Sequence, residues 1–166
     1  MAFERYNTGY NVGVGGVVVK DGRVLLVRRS SRYGRGNWQI PGGFIERDET
    51  IDQAVVREVR EEAGIETEIV GVLAVRSRYN LNDENAPLDN SLYIVFLLKP
   101  TGGDPTPDAV EVDQAGYFSL DEIEQLERVP LINKTLVERA LSNGCQLLST
   151  AEISGLTNDR YRLFAG

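Results

Sequence analysis

The chain has 166 residues, a formal net charge of −7, no histidine and one cysteine, Cys145. Such a length suits one domain with its own core; the missing histidine excludes a Ser-His-Asp triad, a Cys-His pair and histidine-ligated zinc or iron, and the lone cysteine excludes an internal disulfide. The acidic balance argues against a nucleic-acid polymer as partner, apolar runs as short as Tyr93 to Leu98 argue against a membrane span, and the opening MAFERYNTGY, with no apolar signal region, reads as cytoplasmic.

Tyr10 to Lys20, rich in valine and glycine, reads as a strand. Asp21-Gly22 is a hairpin turn, and Arg23 to Arg29 is the partner strand with Val24, Leu25, Leu26 and Val27 as a buried run. Ser30 to Asn37 is a loop. Arg28, Arg29, Arg32 and Arg35 make a basic stretch in and beside it, for which phosphate contact and plain solvation weigh equally. Trp38 to Ile40 and Gly43 to Ile45 are short strands around the turn Pro41-Gly42-Gly43, and a helix follows over Ile51 to Ala63. Glu66 to Ser77, mostly β-branched, is a strand. Arg78 to Asn90 is a polar, exposed loop, Ser91 to Lys99 a buried strand, and Pro100 to Asp108 another loop. Gln114 to Leu120 is the last predicted strand, and Ser119-Leu120-Asp121-Glu122 opens a short helix. A second long helix spans Pro130 to Leu141, with Leu131, Leu136, Val137 and Leu141 inward and Gly144 ending it. The tail from Cys145 to Gly166 carries scattered apolar residues; packing on the domain and packing on a second copy, in a homodimer, are both open. Strands mixed with two substantial helices predict an α/β fold with a mixed sheet between helical layers.

The helix over 51–63 carries the chemistry. Thr50 with Gln53 makes a capping box, Asp48, Glu49 and Asp52 complement the helix dipole, and Gly64 stops the last turn. Wound at about 100° per residue, Ile51, Ala54, Val55 and Val59 share one face. Glu58 and Glu62 lie near the centre of that face and Glu61 at its edge, so carboxylates point where apolar residues belong. Close and unpaired they repel and take up protons more readily. A cation resolves the conflict, and oxygen-only ligands point to Mg²⁺ or Mn²⁺ rather than zinc. Arg57 is placed to pair with Glu61 at i+4 or to reach back to Glu49. Alone, this pattern also fits a solvated charged face; the preceding Pro41-Gly42-Gly43, where a backbone must come close to something, weighs against it.

The stretch from Gly43 to Ile65 resembles the signature of the Nudix hydrolases, G-x5-E-x7-R-E-U-x-E-E-x-G-U with U a bulky aliphatic residue. Gly43, Glu49, Arg57, Glu58, Val59, Glu61, Glu62, Gly64 and Ile65 fill every specified position. Trp38 to Gly43 looks like the family's lead-in; Asp48 stands where many members have glycine, which touches only the local turn. The resemblance covers roughly Val12 to Leu141 and implies a Nudix-type α/β/α sandwich, a single Nudix domain over residues 1–166 with the tail outside the core. It implies hydrolysis of a nucleoside diphosphate linked to another group, such as ADP-ribose or a nucleotide sugar, releasing a nucleoside monophosphate with Mg²⁺ or Mn²⁺ as cofactor. By the same resemblance Glu58, Glu61 and Glu62 are the metal ligands, helped by the Gly42 carbonyl, while Arg57 and Glu49 hold them in place. A further acid from a later loop is best matched by Glu111, with Asp108 and Asp113 as alternatives. The Ser-Gln-Pro-Trp-Pro-Phe-Pro stretch of NADH pyrophosphatases is absent, and Ala74 to Asp83 contains no proline of the kind many ADP-ribose pyrophosphatases carry. Trp38, Tyr33 and Tyr79 are candidates to stack on a base or sugar, Trp38 equally a core residue. Within the family the other readings are a nucleoside triphosphate pyrophosphohydrolase and a non-catalytic nucleotide-binding module.

Overall fold

The computed structural model describes residues 10–30, 34–78, 90–142, 146–151 and 163–165. The strand β1 (Tyr10–Lys20) is its axis. Asp21 and Gly22 both take positive φ, 50° and 73°, as a two-residue hairpin turn matched to strand twist requires, and β2 (Arg23–Arg29) returns antiparallel with Val19 opposite Val24. Farther back along β1, Gly13 to Gly15 pair with β4 (Gly42–Phe44), which follows the short β3 (Trp38–Gln39). On its other side β1 runs parallel to β6 (Asn90–Gly102), and β6 carries β5 (Glu66–Arg78) antiparallel. With β7 (Val112–Phe118) on β2, these strands form one seven-stranded mixed sheet.

Each face of the sheet buries its own cluster. Val14 and Val18 of β1 pack with Ala54, Val55, Val59 and Ala63 of α1 (Ile51–Ala63). Val17, one position out of phase, packs on the other face with Ile123 of α2 (Leu120–Gln125) and Leu136 and Val137 of α3 (Leu131–Leu141). That alternation is the two-residue period of a strand buried on both faces. The result is an α/β/α sandwich with a mixed sheet. Among the described residues no helix is long and apolar enough to cross a membrane.

Several expectations need correction. The β6 strand continues through Pro100 to Gly102. Its pairing with β1 ends at Leu98, so beyond that point a proline without an N–H costs nothing on that side, while β5 still pairs with Thr67 opposite Pro100. Nor is β7 the last strand: β8 (Ser149–Ala151) and β9 (Leu163–Ala165) pair antiparallel in the tail. Leu148 also bridges to Val72, and Leu147 packs on the α3-side cluster, so this part of the tail lies on the domain. In α3, Leu131 is 79% exposed rather than inward. Asn133 turns in with Leu136 and Val137, because its Oδ1 accepts the buried Ile40 N–H at 3.1 Å. The helix ends with Ser142 as its C-cap; Gly144 and the polar loop 79–89 lie outside the described residues.

Candidate active site

The helix α1 begins as its sequence dictates, with Gln53 Oε1 accepting the Thr50 backbone N–H at 2.9 Å, and Gly64 closes it in the left-handed conformation. Its inward face carries Ala54, Val55, Val59 and Ala63, and with them Glu62, only 3% exposed. One oxygen of Glu62 accepts the Gly42 N–H at 2.8 Å and the other lies 3.4 Å from Arg29 Nη1. A single carboxylate thus binds the helix to the glycine turn. Burial pushes the Glu62 pKa up to about 7, against the pull of the Gly42 N–H and Arg29.

Arg57 organises the other carboxylates. Its Nε and Nη2 clasp Glu49 at 3.0 and 2.7 Å, Nη2 also donates to the Phe44 carbonyl at 3.1 Å, and Nη1 reaches Glu58 at 2.9 Å and Glu61 at 3.0 Å. All the donors of a guanidinium are thereby used. The bidentate clasp holds the Glu49 pKa below the usual carboxylate range, and Glu49 in turn accepts the Glu46 N–H at 2.8 Å. Glu58 moves the opposite way: burial raises its pKa even with Arg57 beside it. Gly43 is a glycine for a steric reason, since a Cβ there would run into the Glu58 carboxylate.

These groups open onto a cavity of about 1050 Å³ whose wall includes Arg29, Gly42, Gly43, Arg57, Glu58 and Glu61. Exposed apolar side chains also border it, among them Phe44, Val75 and Ile132. Of the three candidates for a further acid, only Glu111 lines the cavity, 3.9 Å from Arg29 Nη1. Asp108 is occupied as a loop staple, its Oδ1 accepting the N–H groups of Val110, Glu111 and Val112 at 2.9–3.0 Å. Asp113 is engaged by Arg28 at 2.7 and 3.0 Å.

The basic stretch is dispersed by the fold. Only Arg29 of its described members reaches the cavity wall; Arg28 lies against Asp113, and Arg35 is outside the wall, its carbonyl accepting from Arg128 at 3.1 Å. Trp38 is a core residue, buried and packed edge-on against Phe118 with ring centroids 5.0 Å apart. Arg32, Tyr33 and Tyr79 lie outside the described residues. Sequence reading missed Arg76, Ser91, Tyr93 and Asn133, all in the cavity wall. Asn133 had a legible signal, a polar residue three and four positions before the inward Leu136 and Val137. The other three carry none, because they meet only through the pairing of β5 with β6.

Among the described residues no three acidic side chains converge on one point, since Arg57 and Arg29 draw them apart. The donor set nevertheless fits a hard divalent cation: it is all oxygen, and Glu58, Glu62 and Glu111 repel one another in a partly buried space.

The NUDIX domain profile matches residues 9–140. The chain belongs to the Nudix family. It is 33% identical over 115 residues to an ADP-ribose pyrophosphatase of Methanocaldococcus jannaschii, a match spanning 69% of this chain and 65% of that protein. It is 32% identical over 126 residues to the NAD-capped RNA hydrolase NudC of Pseudomonas aeruginosa, spanning 76% of this chain and 42% of that protein. The Nudix chain thus spans less than two thirds of the length of either relative. The crystal structure of a MutT Nudix hydrolase from Burkholderia pseudomallei superposes with a TM-score of 0.66 at 28% identity, covering 78% of this chain and 96% of that one.

Proposed function

We propose that this Nudix chain is a divalent-cation-dependent pyrophosphohydrolase acting on a nucleoside diphosphate linked to a second group, with ADP-ribose the first substrate to test. The observation that carries this reading is Arg57, which spends four donors on arranging Glu49, Glu58 and Glu61 and a fifth on the Phe44 carbonyl, beside the glycine turn of a large cavity. A residue so fully engaged in arranging acids that repel one another belongs to a site prepared for positive charge. The ADP-ribose pyrophosphatase named among the relatives supports the choice of substrate.

In this reading Glu58, Glu61 and Glu62 hold the cation, with the Gly42 carbonyl as a further oxygen. When bound, the cation supplies neutralisation of the diphosphate and acidification of the attacking water. The chain's own residues supply position. Glu62 anchors α1 to Gly42, Arg57 and Glu49 set the angles of Glu58 and Glu61, and Gly43 leaves room for Glu58 at the turn. Glu111, on the loop entering β7, takes the proton from water. Phe44, Val75 and Ile132 offer the linked group exposed apolar surface at the border of the cavity.

The test is a panel of nucleoside diphosphate derivatives and triphosphates with Mg²⁺ or Mn²⁺, run in ¹⁸O-water. ADP-ribose is expected to give AMP and ribose 5-phosphate with label in one product, to stop in EDTA and to resume on adding metal. Hydrolysis that persists in excess EDTA, or label arriving first in orthophosphate, overturns the reaction. Faster turnover of triphosphates than of any linked diphosphate overturns the substrate class.

A further inference from the structure

Among the described residues three arginines line the cavity, Arg29, Arg57 and Arg76. Two are spoken for by carboxylates, Arg57 by Glu49, Glu58 and Glu61, and Arg29 by Glu62 and Glu111. Arg76 differs. Among the described residues it makes no ion pair: its Nη2 donates to Ser91 Oγ at 3.3 Å, its guanidinium lies 5.1 Å from the centre of the Tyr93 ring, and its Nε is buried without an acceptor.

The strands explain how it is held there. Arg76 and Tyr93 are directly opposite on β5 and β6. Tyr93 in turn lies against the bare backbone of β1: a Cβ on Gly13 would come within 2.8 Å of its ring, and one on Gly15 within 2.6 Å of its hydroxyl. The same hydroxyl stands 2.6 Å from where a Cβ of Gly42 would be. Tyr93 is therefore a spacer with its hydroxyl at the glycine turn and its face against Arg76. A cation stacked on an aromatic ring is fixed in place without being neutralised, and a half-buried guanidinium with unfilled donors is a costly arrangement unless an anion completes it. Its planar fork matches a phosphate.

We propose that Arg76 is the clamp for the phosphate of the substrate that lies away from the Glu58–Glu62 end, with Tyr93 and Ser91 as positioning residues. The assignment rests on the pyrophosphohydrolase reading above. It takes the place of Arg28 and Arg29 as a source of positive charge for the substrate, since Arg28 is engaged by Asp113 and Arg29 by Glu62 and Glu111.

The test compares wild type with R76A, R76K and S91A. It reads KM and kcat for ADP-ribose, calorimetric Kd for ADP-ribose and for adenosine in EDTA, and melting without ligand. Because the clamp acts on bound substrate and transition state alike, R76A is expected to raise KM and the ADP-ribose Kd about tenfold or more with kcat within about threefold. R76K recovers part of the loss as a point charge. S91A, which removes only the hydrogen bond that aims the fork, gives a smaller rise in KM and covers the case in which R76A does not fold. Adenosine binding is unchanged in every variant. If R76A and S91A bind ADP-ribose like wild type and differ only in melting, Arg76 is merely a stacking partner of Tyr93 and the clamp is overturned. It is equally overturned if adenosine affinity falls as far as that of ADP-ribose, because Arg76 then reads the nucleoside. A wild type that neither binds nor hydrolyses any linked diphosphate of the panel overturns the functional reading and the clamp with it, whereas an active wild type matched by its Arg76 variants on the substrate it cuts overturns the clamp alone.

Discussion

A carboxylate buried on the apolar face of a helix is the residue on which the site turns. Glu62 is proposed as a cation ligand, and its environment makes a prediction that needs no substrate. Its pKa is about 7 in the folded chain against an ordinary 4.5, so between those values the native state binds more protons than the unfolded one. The stability contributed by protonated Glu62 is therefore full below about 4.5 and is lost as pH rises through about 7. In EDTA the melting temperature should fall across that window. Glu62→Gln, fixed in the neutral form, should flatten this part of the slope, melt near wild type without metal and lose most turnover with it. A wild-type profile that rises over the same window contradicts the assignment. Gly43 supports a second prediction at this scale. The three atoms nearest a Cβ there all belong to the Glu58 carboxylate, the end of a side chain, so Gly43→Ala should keep its far-ultraviolet spectrum and melting temperature. Displacing Glu58 should cost at least about tenfold in kcat.

At the scale of elements, α1 is fastened to β4 by two side chains, Glu62 at the Gly42 N–H and Arg57 at the Phe44 carbonyl. Arg57 joins Glu58 and Glu61 of the helix to the Phe44 carbonyl and to Glu49 in the connecting loop. Arg57→Ala leaves Glu49 and Glu58, both mostly buried, without that partner. The expected loss is roughly 2–4 kcal/mol by urea unfolding, the scale of breaking a buried pair. Arg57→Lys should fall between, since an ammonium cannot serve so many acceptors in one plane. The basic stretch gives the opposite prediction. Arg28 belongs to a surface pair with Asp113 and Arg35 lies off the cavity, so Arg28→Ala and Arg35→Ala should each change kcat/KM by less than about twofold. A tenfold rise in KM for either would return the loop to the substrate site.

For the whole molecule, the two helical layers share the strands β1, β2 and β6: Val14, Leu25 and Phe96 face α1, while Val17, Leu26 and Val95 face α2 and α3. Neither layer can be exposed without stripping the other of the sheet beneath it. We therefore propose that the residues between β1 and α3 form a single cooperative domain. Trp38, the sole tryptophan, reports on the α3 side through Phe118. Its fluorescence and the far-ultraviolet circular dichroism should lose signal at the same urea concentration. Separated midpoints would mean that the layers unfold independently.

What the sequence determined by itself was local. Caps, a glycine stop and helical periodicity act within a few residues, so the bounds of α1 were legible as Ile51 to Ala63, and the Asp21-Gly22 turn set β1 and β2 on either side of it. The inward carboxylates and the reach of Arg57 to Glu49 and Glu61 followed from the same helix geometry, because all of them lie on or next to one element. Tertiary structure decided what distance along the chain conceals. Arg28 finds its acid 85 residues away through the pairing of β2 with β7, whose register shifts between Arg28 and Arg29. Asn133 turns inward for an N–H on β3's far side, and Trp38 is covered by Phe118. Arg76, Ser91 and Tyr93 come together only because β5 and β6 pair in one register over a β1 stripped to glycine, and strand register is set by partners that no local pattern of residues specifies.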